Sequence, residues 1–232
     1  MDNRKKLALI PAYTPDEALI EITKELHNRD FTVIVIDDGS QSEYDEVFNK
    51  AEEFAKVIRY KKNKGKGNAL KKGLRFIKAS YALPYTVVTV DADGQHRIKD
   101  VINVFNYAAK YPEDVVIGCR NLEKDDPIKS RIGNSITNFL YKVTTGARLN
   151  DTQTGLRAFS DSSIDIAINA KGSRYEYEIN MLLDFTKAIK VREIPIETVY
   201  IDNNRSTHFR PFKDSAIIYS QFFTNKLNKK KE

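Results

Sequence analysis

Short runs of β-branched and apolar residues alternate with segments of helical periodicity along the first half of the chain, and this alternation limits the fold more than any other feature. Leu7 to Ile10 and Phe31 to Ile36 have the length and composition of buried strands, and Leu19, Ile22 and Leu26 stand at helical spacing between them. The chain therefore opens as β-α-β. Val57 to Tyr60 and Val87 to Val90 continue the strand series, with Leu70, Leu74 and Ile77 striping a helix over 68–79. A helix at 98–110 and a strand at 115–118 follow. Strands separated by helices imply an α/β fold, with a mostly parallel central sheet covered on both faces. Beyond residue 120 the pattern is less regular: a helix at 130–144, a polar turn around Asp151, a helix at 177–188 and a strand over 191–201.

Ligands of such sheets bind outside the carboxyl ends of the strands. Two acidic clusters fall there. Asp37 and Asp38 of IDDGS follow the second strand, and Asp91, Asp93 and Gln95 of VDADGQH follow the strand at 87–90. Side chains two apart in an extended segment share a face, so Asp91 and Asp93 converge as hard oxygen ligands with Gln95 as a neutral third. That set suits Mg²⁺ or Mn²⁺, which take few protein carboxylates and complete their shells with water and phosphate oxygens. Local turn chemistry explains the same Asp and Gly residues equally well. A third segment, NKGKGNAL at 63–70, offers close backbone approach at its glycines and a positive charge at Lys64 or Lys66. It lacks the spacing of a Walker loop and of the dinucleotide fingerprint, so neither an ATPase nor a nicotinamide enzyme is supported.

Taken in order, IPAY, VIDDGS, NKGKGNALKKG, VTVDADGQH, GCR, SRIGN and DTQTGLRAF resemble the motifs of family-2 glycosyltransferases over most of residues 7–160. Within that family the chain looks most similar to the dolichyl- and polyprenyl-phosphate sugar transferases, the group of dolichyl-phosphate mannose synthase. The resemblance implies a GT-A fold, a nucleotide-diphosphate sugar donor (UDP- or GDP-linked), a divalent metal and inversion at the anomeric carbon. Pro11, Tyr13 and Asp38, with Asp37 as a second candidate, would line the nucleoside pocket, and Lys66 and Asp91 would also contact substrate. Asp91, Asp93 and Gln95 would hold metal and diphosphate. Arg120 and Arg131 would clamp the diphosphate or an acceptor phosphate, and Asp151 of DTQTG would be the catalytic carboxylate. An N-cap or Asx-turn is the local alternative for Asp151. Arg205 and Arg210 of the NNRSTHFRPFKDS stretch would engage phosphate from a closing loop. One departure is PAYTPDE, where the acid that follows the tyrosine in many relatives is displaced to Asp16 or Glu17. Glu176 and Glu178 read as helix-end decoration.

The acceptor implied by the resemblance is a polyprenyl phosphate, with a glycan or wall-polymer hydroxyl as the alternative. The net charge of +6 would also suit nucleic acid. No nucleic-acid motif accompanies it, however, and acids on the ligand rim would repel a polyanion. With one cysteine, Cys119, no intrachain disulfide forms, and no apolar run approaches the roughly 18 residues of a membrane span. A cytoplasmic location, or a peripheral one at the membrane face, follows as an expectation. Without repeats or linkers, residues 1–213 should form a single catalytic domain, followed by a helix and basic tail at 214–232. Ile217, Ile218 and Phe222 of that helix suit either core packing or an anionic membrane surface.

Overall fold

The structure is a computed structural model describing residues 4–120, 128–197 and 217–222, with backbone alone for 128–132. Seven strands form one sheet: β1 (Lys5–Ala12), β2 (Thr32–Asp37), β3 (Ala55–Arg59), β4 (Tyr85–Thr89), β5 (Val115–Arg120), β6 (Arg157–Ser160) and β7 (Val191–Ile196). Their order is β3-β2-β1-β4-β6-β5-β7. β1 pairs in parallel with β2 and β4, β2 with β3, and β5 with β7, whereas β6 is antiparallel to both β4 and β5. The helices are α1 (Ala18–His27), α2 (Asp45–Ala51), α3 (Lys66–Ser80), α4 (Ile98–Lys110), α5 (Ile128–Thr145), α6 (Ile164–Asn169) and α7 (Glu176–Ala188).

Strand alternation divides the core in two. Leu7, Leu9, Ile34, Ile36, Val87 and Phe159 project onto the face covered by α3, α5, α6 and α7, while Ala8, Ile10, Val33, Val35, Val88 and Ala158 meet α1, α2 and α4. Both faces are dry, which is why β1, β2 and β4 read as continuous apolar runs rather than alternating ones. The expected α/β architecture is present, with β6, among the described residues, the one antiparallel strand of an otherwise parallel sheet.

Three elements went unread in the sequence. α2 and α6 are short, and β6 has four residues inside a segment whose Asp, Thr, Gln and Gly signal a turn. β6 is nevertheless central, because Phe159 is fully buried and its ring lies 5.2 Å from that of Phe185 on α7. Residues 217–222 are helical, and Ile218 and Phe222 are buried in the α3–α7 side of the core, so this part of the C-terminal segment packs inward. No helix among the described residues is long and apolar enough to cross a membrane.

Phe159→Ala should cost about 3–5 kcal/mol, the range for truncating a buried aromatic side chain. Urea unfolding followed by circular dichroism reads this loss directly; a cost below about 1 kcal/mol would mean that β6 does not anchor α7.

Candidate active site

The carboxyl ends of β1, β2 and β4 open into a cavity of about 480 Å³. Pro11 walls it from the end of β1, Tyr13 and Asp16 from the segment that follows, Asp38 from that after β2, and Asp91 and Asp93 from that after β4. Gly65 and Lys66 at the start of α3 and Arg174 and Tyr175 before α7 complete it. This volume lies within the range of small-molecule sites. Pro11, Tyr13, Asp38, Lys66, Asp91 and Asp93 are therefore brought together as the motifs suggested, and the displaced acid Asp16 joins the wall.

Asp38 does not point an idle carboxylate at a ligand. Its Oδ1 accepts the Lys64 N–H at 2.9 Å and its Oδ2 the Gly65 N–H at 2.7 Å, so it fixes the glycine loop at the entrance to α3. Burial raises its pKa, and the two amides and Arg174 offset only part of that effect. Gly65 itself has φ +96°, and a Cβ there would lie 2.7 Å from Arg174 Cγ, so a side chain at this position would be both strained and crowded. Asp37 departs from its expected role: its Oδ1 accepts the Ser40 N–H at 2.8 Å, closing the turn after β2, and it is not among the cavity residues.

The centre of the site is an ion-pair cluster. Lys66 Nζ lies 2.7 Å from Asp91 Oδ1 and 2.9 Å from Glu178 Oε2. Burial alone would discharge the lysine, but the two carboxylates outweigh it and hold the pKa above its ordinary value. Burial likewise disfavours the Asp91 anion, yet Lys66 and His96 hold its carboxyl well below the usual carboxylate range. His96 Nε2 is 3.5 Å from Asp91 Oδ2, but the angle does not make a hydrogen bond, and this buried nitrogen has no such partner among the described residues. Gly155 packs directly on Asp91: a Cβ there would fall 2.7 Å from Asp91 Oδ1.

Asp93 is in the opposite electrostatic state. Burial and the neighbouring Asp91 charge raise its pKa, and the hydrogen bond that its Oδ1 accepts from the Gln95 N–H at 3.1 Å compensates only partly. A carboxylate held in the cavity wall against its own repulsion suits a divalent cation. No cluster of three His, Cys, Asp or Glu side chains is arranged to chelate a metal among the described residues, so a cation here would draw further ligands from phosphate and water, as Mg²⁺ and Mn²⁺ do. With Asp91 Oδ1 engaged by Lys66, Asp93 is the better placed of the two ligands, and the position shown for Gln95 is that of a backbone donor to Asp93.

The expectation that Asp151 presents a carboxylate to substrate meets a different geometry. Asp151 is 0% exposed, its oxygens receive Arg120 Nε at 2.6 Å and Nη2 at 2.9 Å, and it lies outside the cavity wall. A guanidinium fork engages both oxygens of the carboxylate at once. Asp151 thus orients Arg120 instead of standing in the cavity wall. Arg131 falls within α5, but its side chain lies outside the described residues, as do Arg205 and Arg210.

Sequence reasoning missed Glu178, Arg157 and Arg174. Glu176, the first residue of α7, accepts the Ser173 N–H of the preceding loop at 2.9 Å, whereas Glu178 is buried against Lys66. A signal was present: α7 is apolar on nearly every side, and a charged residue within such a helix needs a partner. Arg157 is fully buried, with Nη1 2.5 Å from Glu178 O and Nε 3.0 Å from Thr154 O, so it joins α7 to the DTQTG segment. Burial lowers its pKa. Cys119, pushed up to about 12 mainly by burial, is no thiolate nucleophile.

The raised pKa of Asp93 means that the native state keeps this proton to higher pH than the unfolded chain does. The penalty for ionising it is absent well below about pH 3.9 and complete above the folded pKa. Asp93→Asn should therefore raise the melting temperature of metal-free protein at pH 7, at about 2–4 °C per kcal/mol relieved. The gain should shrink as the pH approaches 4. Calorimetric scans across this range check it, and an equal or lower melting temperature at pH 7 would refute the assigned repulsion.

Comparison with known proteins agrees with this geometry. The chain is 33% identical over 205 residues to an uncharacterized protein of Methanocaldococcus jannaschii, covering 85% of this chain and 83% of that one. It is 29% identical over 217 residues to the UDP-N-acetylglucosamine–dolichyl-phosphate N-acetylglucosaminyltransferase of Methanococcus voltae, covering 84% and 85%. In fold it is similar to glucosyl-3-phosphoglycerate synthase of Mycobacterium tuberculosis crystallised with Mn²⁺, UDP and glucosyl-3-phosphoglycerate. That match has a TM-score of 0.66 at 16% identity over 97% of this chain and 80% of the other. The glycosyl transferase family 2 model matches residues 8–166, a span holding every cavity-wall residue except Arg174 and Tyr175, and the chain accordingly belongs to that family of transferases.

Proposed function

We propose that the protein transfers a sugar from a nucleoside-diphosphate sugar to the phosphate of a polyprenyl lipid, with inversion at the anomeric carbon. The observation that carries the donor half is the pairing of an under-neutralised Asp93 with cationic Lys66 and Arg174 around one cavity. Arg174 Nε is buried without a hydrogen-bond partner among the described residues, an arrangement that suits an anionic ligand oxygen. The nucleoside would sit against Pro11, Tyr13 and Asp38, with the diphosphate toward Asp93 and Arg174. Bound Mg²⁺ or Mn²⁺, held at Asp93 with Asp91 behind it, would neutralise charge developing on the leaving diphosphate.

The acceptor half is supported by Asp151. A hydroxyl acceptor needs a general base, whereas a phosphate arrives already ionised. With Asp151 committed to Arg120, the carboxylate expected to serve as that base is engaged, which favours the phosphate. In the transfer, an acceptor phosphate oxygen forms a bond to the anomeric carbon as the bond from that carbon to the donor diphosphate breaks, leaving a nucleoside diphosphate. Arg120, fixed by Asp151, would orient the acceptor phosphate. The Methanococcus voltae relative, whose name specifies a dolichyl phosphate, supports the same acceptor class. Transfer to a glycan hydroxyl, the second reading from the family resemblance, has no comparable support in the site.

One nucleotide among UDP, GDP and CDP should stabilise the protein with Mn²⁺. At a hundredfold excess over Kd the gain is about 2.7 kcal/mol, and Asp93→Ala should abolish its metal-dependent part. Incubation with the matching labelled sugar donor and polyprenyl phosphate should then move label into the organic phase. Label confined to water-soluble saccharide would overturn the acceptor assignment, and the absence of any nucleotide shift would overturn the donor site.

A further inference from the structure

One face of α5 has no use in the site as described. Asn134, Thr137 and Tyr141 recur on its inner side and are buried, whereas Ile136, Phe139 and Val143, at the same spacing on the opposite side, are 41%, 65% and 48% exposed. The inner side is tied to the segment bearing Asp151. Asn134 Nδ2 donates to Asn150 O at 3.1 Å, Asn138 Nδ2 donates to the same oxygen at 2.6 Å, and Thr152 Oγ1 donates to Asn138 Oδ1 at 2.7 Å. The exposed apolar stripe therefore stands on the helix that carries the Arg120–Asp151 side of the site.

The sequence of α5 contains Lys129, Arg131 and Lys142 but no aspartate or glutamate, and Arg148 follows it. Lys142 and Arg148 are exposed near the stripe. Aromatic and aliphatic side chains with cationic neighbours, on a helix that itself carries no acid, match a bilayer surface of anionic headgroups over acyl chains. A second copy of the chain is a weaker match. A large apolar side chain buries at most about 150–250 Å², so three half-exposed ones supply far less than the roughly 800 Å² per partner of a stable interface.

We propose that the Ile136, Phe139 and Val143 face of α5 docks the protein on an anionic membrane, with the Arg120 side of the site turned toward the lipid. The orientation rests on the polyprenyl-phosphate reading above, whereas the docking itself does not. A lipid acceptor would then reach Arg120 without leaving the bilayer, because the helix that touches the membrane is hydrogen-bonded to the segment that positions this arginine.

The test is co-sedimentation of the full chain with phosphatidylcholine vesicles with and without phosphatidylglycerol, lacking any polyprenyl phosphate. Wild type should bind the anionic vesicles, and the double variant Phe139→Ser, Val143→Ser should lose roughly tenfold in partitioning while keeping its melting temperature and its nucleotide-induced shift. Lys142→Glu should weaken binding at low salt and have little effect at high salt. Equal sedimentation of wild type and the double variant, or no binding by wild type, would overturn the proposal. So would a wild-type dimer seen by light scattering that the double variant dissociates. Transfer to a short-chain, water-soluble polyprenyl phosphate is scored separately. Its failure with vesicle binding intact would remove the acceptor reading and leave the docking surface standing.

Discussion

Lys66 sits where three parts of the chain meet. Its ammonium, between Asp91 and Glu178, joins the start of α3 to the segment after β4 and to α7. Glu178 is buried whereas Lys66 and Asp91 stay partly exposed, so removing one partner leaves a partly buried charge uncompensated and loosens the three elements at this point. Asp38 secures the loop that delivers Lys66, Gly155 makes room for Asp91, and Arg157 holds the backbone at Glu178. Around this fixed triad Asp93 keeps a charge that the protein itself does not balance.

The same arrangement gives the two acids of the DxD motif different tasks. Asp91 is already neutralised by an internal cation and acts mainly as an anchor, whereas Asp93 offers its charge to what enters the cavity. Asp151 and Arg120 show a parallel division, with a buried acid positioning a basic group nearer the surface. In both cases residues of the same site differ in whether their charge is already met inside the protein.

Much of the architecture was legible because β1, β2, β4 and the stripes of α1, α3 and α4 are long periodic signals that tertiary structure did not override. The donor wall was legible for a related reason: Asp38, Asp91 and Asp93 directly follow strands, and the carboxyl-end rule places them together. β6 was not, because four residues beside a Thr- and Gly-rich turn carry too short a pattern to separate strand from loop. Nor was the partner of Lys66, since Glu178 lies 112 positions away and only folding sets the two side by side. The partner of Asp151 was hidden for the same cause. Its local sequence reports a carboxylate at a turn, while its chemistry depends on a guanidinium 31 residues away.

The capture of two loop amides by Asp38 has a bearing on how nucleobase preference could diverge among relatives of this fold. A carboxylate whose oxygens already accept from the Lys64 and Gly65 backbone has about half of its acceptor sites committed, and its orientation is set by the loop rather than by a base edge. It acts as a fixed template, independent of which side chains occupy the loop it grips. Discrimination would then fall to the rest of the wall, where Tyr13 and Asp16 belong to the segment between β1 and α1, outside the sheet. New donor preferences could accordingly arise by exchange of a few residues between β1 and α1, on a foundation that stays the same.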